Sequence, residues 1–354
     1  MEQEQARRMR VTAGFDGYVD TISRVVRRKG ADGSVEYFST IAEFGAHVTA
    51  KAGKSASIEL RAQQVRAGGN LPLFAKALCA LGVEVTAVGA MGWPQLHPAF
   101  EELAAHPLCT VRSVAQPGLC DAAEFDDGKL MLAHNEDIEA LDAQMLRERL
   151  GQGEAERLFG DCDLAAFMNW SEVVRETSIW KELAGSLTGP LLVDLSDCSA
   201  RSGEEIREMF ALLSLMARRV PVTLSANKNE LEQLGRGLGL APMHPVELAQ
   251  TLHERLNGAR VVAHLTAGAF CVSRAGLVSR KNMHFDKPVL STGGGDNFNA
   301  GLALGLLNGM EMGDCLAMGN AVSGWYVSHG ANPTLEQAAE LMRSGAYDEE
   351  LTEV

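Results

Sequence analysis

The residues with the clearest chemical meaning lie near the C-terminus, where the chain reads Leu290-Ser291-Thr292-Gly293-Gly294-Gly295-Asp296-Asn297-Phe298. Three glycines run into a segment in which Phe298, Leu302 and Leu306 share one helical face. Glycines before a helix start let bare backbone N–H groups converge on an anion, helped by the positive end of the helix dipole. Asp296 falls in the first turn. It could serve simply as a favourable N-terminal charge. Beside an anion cradle, the same carboxylate could take a proton from an attacking hydroxyl while the cradle holds a transferring phosphoryl. Three further groups have the types and spacing for ligand work: Gly14-Phe15-Asp16-Gly17-Tyr18-Val19-Asp20, Gly68-Gly69-Asn70, and Asn227-Lys228-Asn229-Glu230.

Other chemistries fail on spacing. Gly53-Lys54-Ser55 looks like the end of a P-loop, but position 48 is Val where the first glycine belongs. A dinucleotide fingerprint on Gly293 and Gly295 would need a third glycine at 298, which is Phe. No G-x-S-x-G elbow is present. His253-Glu254 is followed by Asn257 rather than a second histidine, so it is not a zinc motif. Seven widely spaced cysteines, with no C-x-x-C, read as reduced and mostly buried thiols.

These groups need a scaffold. Met9–Phe15, Val83–Gly89, Asp163–Met168, Leu191–Leu195, Val220–Leu224 and Arg260–Leu265 are short apolar runs. Helical spacing follows or separates them at Leu71–Leu81, Glu172–Leu183, Glu204–Ala217, Asn227–Leu234 and Val246–Leu256. This alternation predicts an α/β fold, a mostly parallel sheet with helices on both faces. Two stretches break the rhythm, about 18–66 and 109–134, and read as small antiparallel strands that form a β-sheet lid over the carboxyl ends of the parallel strands. The acidic residues from Tyr347 onward are expected to fray. With 46 Asp and Glu against 32 Lys and Arg, the net charge of −14 argues against a nucleic-acid partner. No apolar run reaches membrane-spanning or signal-peptide length, so a cytoplasmic, non-membrane protein is expected.

Together the four glycine- and asparagine-bearing groups resemble the motifs of the ribokinase-like, or PfkB-type, carbohydrate kinases. That family carries a pattern close to D-T-x-G-A-G-D-x-F near its C-terminus, a Gly-Gly pair opening an early helix, N-x-x-E after a central strand, and an early strand ending in glycine before an aspartate. All four occur here in the family's order, and the resemblance runs from about residue 10 to 345. It implies one three-layer α/β/α kinase domain over residues 1–354 and an ATP- and Mg2+-dependent transfer of phosphoryl to a hydroxyl of a sugar-like small molecule. It further implies that Asp296 is the general base and that Gly293, Gly294 and Gly295 form the anion hole. Asn227 and Glu230 would organise magnesium through water; they also fit a plain capping box. Thr266 and Gly268 would touch nucleotide, or only end a strand, and Asn320 would lie near adenine, or be an ordinary helix residue. Asp20, Gly69 and Asn70 would bind substrate hydroxyls, with Asp16 competing for the role of Asp20. Asn169, at a strand end, is one more substrate candidate.

Departures from the family pattern concern ion and substrate choice. Leu290 stands where relatives often hold a monovalent cation with Asp, so weak potassium activation is expected. Leu73 stands where many relatives have a substrate-contacting Asn. The spacing from Gly14 to Asp20 is one residue longer than usual and is closer to that of ADP-dependent sugar kinases. Lys51, Lys54 and Arg61 in the lid leave a phosphorylated sugar open as substrate. A nucleoside kinase and a non-catalytic sugar or nucleotide sensor are the alternatives on this fold, and a homodimer paired through the lid is possible.

Overall fold

The computed structural model describes residues 8–283, 289–290 and 292–351. In chain order its strands are β1 (Arg10–Phe15), β2 (Tyr18–Lys29), β3 (Val35–Tyr37), β4 (Leu60–Gly68), β5 (Glu84–Gly89), β6 (Cys109–Ser113) and β7 (Gly118–Phe125). They continue with β8 (Gly128–His134), β9 (Leu164–Met168), β10 (Leu191–Asp194), β11 (Val222–Asn227), β12 (Arg260–Leu265), β13 (Gly268–Ser273) and β14 (Gly276–Lys281). The larger sheet has nine strands in the order β14-β13-β12-β11-β10-β9-β1-β5-β6. Its members from β12 through β6 pair in parallel, and β13 and β14 add an antiparallel edge.

Strand alternation divides the side chains between two cores. Val193, Leu224, Ala226 and Ala263 face one helical layer, made of segments such as Gly203–Met216 and Lys228–Gly237. Leu192 and Val262 face the other, built from Asn70–Ala80, Gly294–Leu307 and Met312–His329. A period of two then puts Asp194, Asn227 and His264 on the second face at the carboxyl ends of their strands. The helix Gly203–Met216 shows why such segments form. Ser202 and Glu205 make a reciprocal capping box, and Ile206, Met209, Phe210, Leu213 and Met216 bury one stripe. The helix Gly294–Leu307 is buried nearly all round, because Met312–His329 packs closely behind it. A Cβ at Gly301 would lie 2.5 Å from the backbone oxygen of Met318.

The smaller sheet orders as β3-β2-β7-β8, with β4 also on β2. Two expectations about it change. The strand β6 pairs in parallel with β5, Val85 opposite Cys109, so it belongs to the main sheet and the second inserted segment begins at Gly118. The alternating pattern of Cys109–Ser113 suits either sheet, and only the pairing decides. The smaller sheet is also not purely antiparallel: β2 and β7 run in parallel, and Ile41–Thr49 is a helix. The chain end is not frayed at Tyr347, which is 1% exposed and packs on Ala317 and Ala321. Among the described residues all seven cysteines are free, and no helix is long and apolar enough to cross a membrane.

Candidate active site

From β1 the chain proceeds to β5 and β6 on one side, then returns to β9 and builds outward on the other. The crevice at the carboxyl ends of β1 and β9 is therefore the topological switch point, where ligands bind in open α/β sheets. Asp16 and Asn169 sit there. Asn169 has φ of +64°, an uncommon left-handed conformation for a non-glycine residue. It donates Nδ2–H to Asp16 Oδ2 at 2.7 Å, and its own Oδ1 is buried without a partner.

Asp16 is fully buried. Its carboxylate also accepts the backbone N–H groups of Asn70 and Leu71, each at 2.7 Å. The helix Asn70–Ala80 has no side-chain cap of its own, so Asp16 supplies one from the end of β1. The two aspartates differ in exposure: Asp16 is fully buried against the helix start, whereas Asp20 stays partly open, 4.0 Å from Arg66. Burial raises the carboxyls of both, that of Asp16 to about 6. The Gly68-Gly69 pair makes room for them. A Cβ at Gly68 would lie 2.5 Å from the Asp20 carboxylate, and one at Gly69, where φ is +90°, would lie 2.6 Å from Asp16 Oδ2. Asn70 reaches across to Ser196 Oγ at 2.9 Å.

The glycine run Gly293–Gly295 lies opposite. Gly293 caps the helix Gly294–Leu307 with φ of +83° and approaches the Tyr326 hydroxyl, while Gly295 faces the imidazole of His264. Asp296 is 7% exposed, and its Oδ1 is buried with no hydrogen-bond partner. Its carboxyl is pushed well above the ordinary range, first by burial and then by the charges of Asp194, Asp16 and Glu230. Ser291 of the same motif falls outside the described residues. Leu290 and Gly294–Asp296 line a cavity of about 550 Å³ together with Asn70, Asp194, Asn227, Glu230, His264 and Thr266.

On the far wall, Asn227 and Glu230 do form the reciprocal capping box, with Asn227 N–H to Glu230 Oε2 at 2.8 Å and Glu230 N–H to Asn227 Oδ1 at 3.0 Å. The cap and the cavity are compatible, because both residues also line the open space. Burial, then the charge of Asp194, raises the Glu230 carboxyl to about 8. Asp194 is raised to about 6, mainly by burial, and accepts Asn299 Nδ2–H and Ser196 N–H. Gly268 and Asn320 are not among the residues lining this cavity. Gly268 faces the Arg280 backbone too closely for a side chain, and Asn320 donates to the carbonyls of Arg280 and Lys281 at 3.2 and 3.3 Å, tying its helix to β14.

Sequence reasoning missed Asp194, Ser196, Asn299 and His264. Single polar residues at the ends of apolar strands, as in Leu-Leu-Val-Asp and Val-Val-Ala-His, were the available signal.

The mostly parallel nine-stranded sheet between two helical layers, with a smaller separate sheet, is the ribokinase fold. Solved structures share the architecture. That of Arabidopsis thaliana ribokinase complexed with ribose and ATP matches at TM-score 0.67 and 15% identity, covering 95% of this chain and 99% of that one. An E. coli protein in complex with ATP and Mg2+ matches at TM-score 0.65 and 15% identity, covering 96% and 100%. The sequence matches the prokaryotic ketohexokinase family over residues 3–344, and the chain belongs to that family. It is 32% identical over 337 residues to the ketohexokinase of Haloferax volcanii, spanning 93% of this chain and 89% of that protein.

Proposed function

We propose that the protein transfers the terminal phosphoryl of ATP to a hydroxyl of a ketohexose, with Asp296 as general base. The observation that carries the assignment of roles is the unpartnered, buried Oδ1 of Asp296 in the first turn of a helix opened by three glycines. The ketohexose is supported by the name of the Haloferax relative and of the family.

Asp296 takes the proton of the attacking hydroxyl. The N–H groups of Gly293–Gly295, with the helix dipole behind them, hold the phosphoryl oxygens as charge develops. Asp20, Asn70 and Asn169 orient the sugar, with Gly69 admitting the approach, and Asp16 holds Asn70 and Asn169 in place. Thr266 contacts the nucleotide. Magnesium fits this cavity: Asp194 and Glu230 present carboxylate oxygens and Asn227 an amide oxygen, and the Glu230 carboxyl is raised in part by the charge of Asp194. Among the described residues no group of three or more His, Cys, Asp or Glu could hold an ion alone, so water and phosphate would complete its shell. When bound, magnesium neutralises phosphate charge. The smaller sheet acts as the lid and excludes water. Exposed apolar side chains on it, including Val65, Leu119 and Leu132, support pairing of two lids in a homodimer.

The test is ADP release across ketohexoses, aldohexoses, polyols and nucleosides. A ketohexose is expected to give the highest kcat/KM, by at least tenfold. A nucleoside in first place would replace this reading with the nucleoside-kinase one, and tight binding without turnover would favour a sensor.

A further inference from the structure

His264 has no part in the reaction as described, yet it lies within the site. It follows Val262 on the face of β12 turned toward the helix Gly294–Leu307. Its ring packs on Phe298, with centroids 5.1 Å apart and planes at 34°, which fixes the ring's position. A Cβ on Gly295 would lie 3.2 Å from His264 Cε1 and 3.8 Å from Nε2, so the Cε1–Nε2 edge faces the backbone of the anion cradle. His264 also lines the cavity. Nε2 is buried and has no hydrogen-bond partner.

A buried imidazole nitrogen without a partner costs about 1–3 kcal/mol, so a histidine kept only to fill space would be a poor choice beside Phe298. The cost is recovered if a ligand completes the hydrogen bond. Burial alone holds the imidazole neutral, its pKa pushed down to about 4, and no carboxylate contributes. A pairing with Asp296 is therefore not what keeps it there. A neutral imidazole carries one N–H and no charge, so it can donate toward an anion in a site that already holds several carboxylates.

We propose that His264 is a catalytic residue of the kinase reaction, donating Nε2–H to a phosphoryl oxygen of the nucleotide seated at Gly294–Gly295. The proposal rests on the reading of this cavity as the phosphoryl-transfer site. It also bears on position 295: a Cβ there would lie 3.2 Å from His264 Cε1, so the imidazole would have to shift by a few tenths of an ångström.

The experiment compares wild type with His264→Phe, which keeps a ring without a donor, and His264→Gln, which keeps an N–H near Nε2. Steady-state kinetics with ATP and the preferred sugar are run at pH 7.5, alongside thermal midpoints. Removing one oxyanion-hole donor costs about 10²–10³ in rate. His264→Phe is expected to lose about 100-fold in kcat/KM for ATP, with sugar KM within threefold of wild type and no lower thermal midpoint. His264→Gln is expected to recover to within about tenfold of wild type. Full activity in the Phe variant, or equal losses in two folded variants, overturns the proposal. If the Phe variant does not fold, the Gln variant decides alone: activity within tenfold supports the donor role, and a larger loss with the fold intact overturns it. A wild-type enzyme that releases no ADP with any hydroxyl substrate defeats the functional reading instead.

Discussion

Gly69→Ala tests how the side of the site proposed to bind sugar is held. Gly69 has φ of +90° and ψ of 157°, a backbone region open essentially to glycine alone. Its added Cβ would meet Asp16 Oδ2 at 2.6 Å and the Tyr18 nitrogen at 3.1 Å. The backbone strain costs about 1–3 kcal/mol, and overpacking a buried carboxylate costs about another 1–3. Gly82→Ala is the matched control. Its φ is +83°, at the end of the same helix, and nothing lies within 4 Å of the added Cβ, so only a strain of about 1–2 kcal/mol applies. Urea unfolding should therefore show Gly69→Ala less stable than Gly82→Ala by about 2 kcal/mol. Displacing Asp16 also releases Asn70 and Asn169, so the sugar KM should rise at least tenfold while the ATP KM changes little. In Gly82→Ala both KM values should be normal. Equal stability losses in the two variants, with an unchanged sugar KM, would refute the claim that Asp16 is the anchor of the substrate side.

Three other outcomes follow from the structure. Gly301→Ala should destabilise by about 2 kcal/mol or more, because its Cβ meets backbone rather than a flexible side chain; differential scanning calorimetry reads it. Burial acts on stability with opposite pH signs at two positions. Asp16, raised from 3.8 to about 6, contributes stability that is present below pH 4 and lost as pH rises through 6; His264, lowered from 6.5 to about 4, contributes stability that is present above pH 6.5 and lost as pH falls toward 4. The stability of wild type relative to His264→Leu should then fall by about 2–3 kcal/mol between pH 7 and pH 4.5, measured by urea unfolding. Leu290 lines the cavity with hydrocarbon and cannot ligate an ion, so exchanging potassium for sodium or choline should change kcat less than twofold.

How far the sequence reveals the site depends on how local each signal is. Gly293–Asp296 is legible because cradle, helix start and carboxylate are contiguous. Asn227 and Glu230 are legible for a similar reason, since N-x-x-E writes both a cap and two cavity-lining polar side chains into four residues. Asp194, Asn299 and Ser196 are joined only by topology: β10 and the helix Gly294–Leu307 are about a hundred positions apart in the chain, and neither segment announces the other. The role of Asp16 was hidden in the same way, because the helix it caps begins at Asn70. Within the fold, the parallel strands could be read from their apolar runs, but edge pieces could not. Ile41–Thr49 buries none of its residues, so its pattern is weak, and β6 alternates like a lid strand while completing the main sheet.

The central claim is that Asp296 takes the proton from the sugar hydroxyl. The most direct measurement is single-turnover phosphoryl transfer from ATP to the preferred ketohexose by Asp296→Asn, with ATP affinity determined on the same preparation by calorimetry. The account predicts a fall of about 10²–10⁴-fold in the transfer rate, with ATP affinity within a few fold of wild type and the fold intact. Transfer within tenfold of wild type by a folded, ATP-binding Asp296→Asn protein would contradict it.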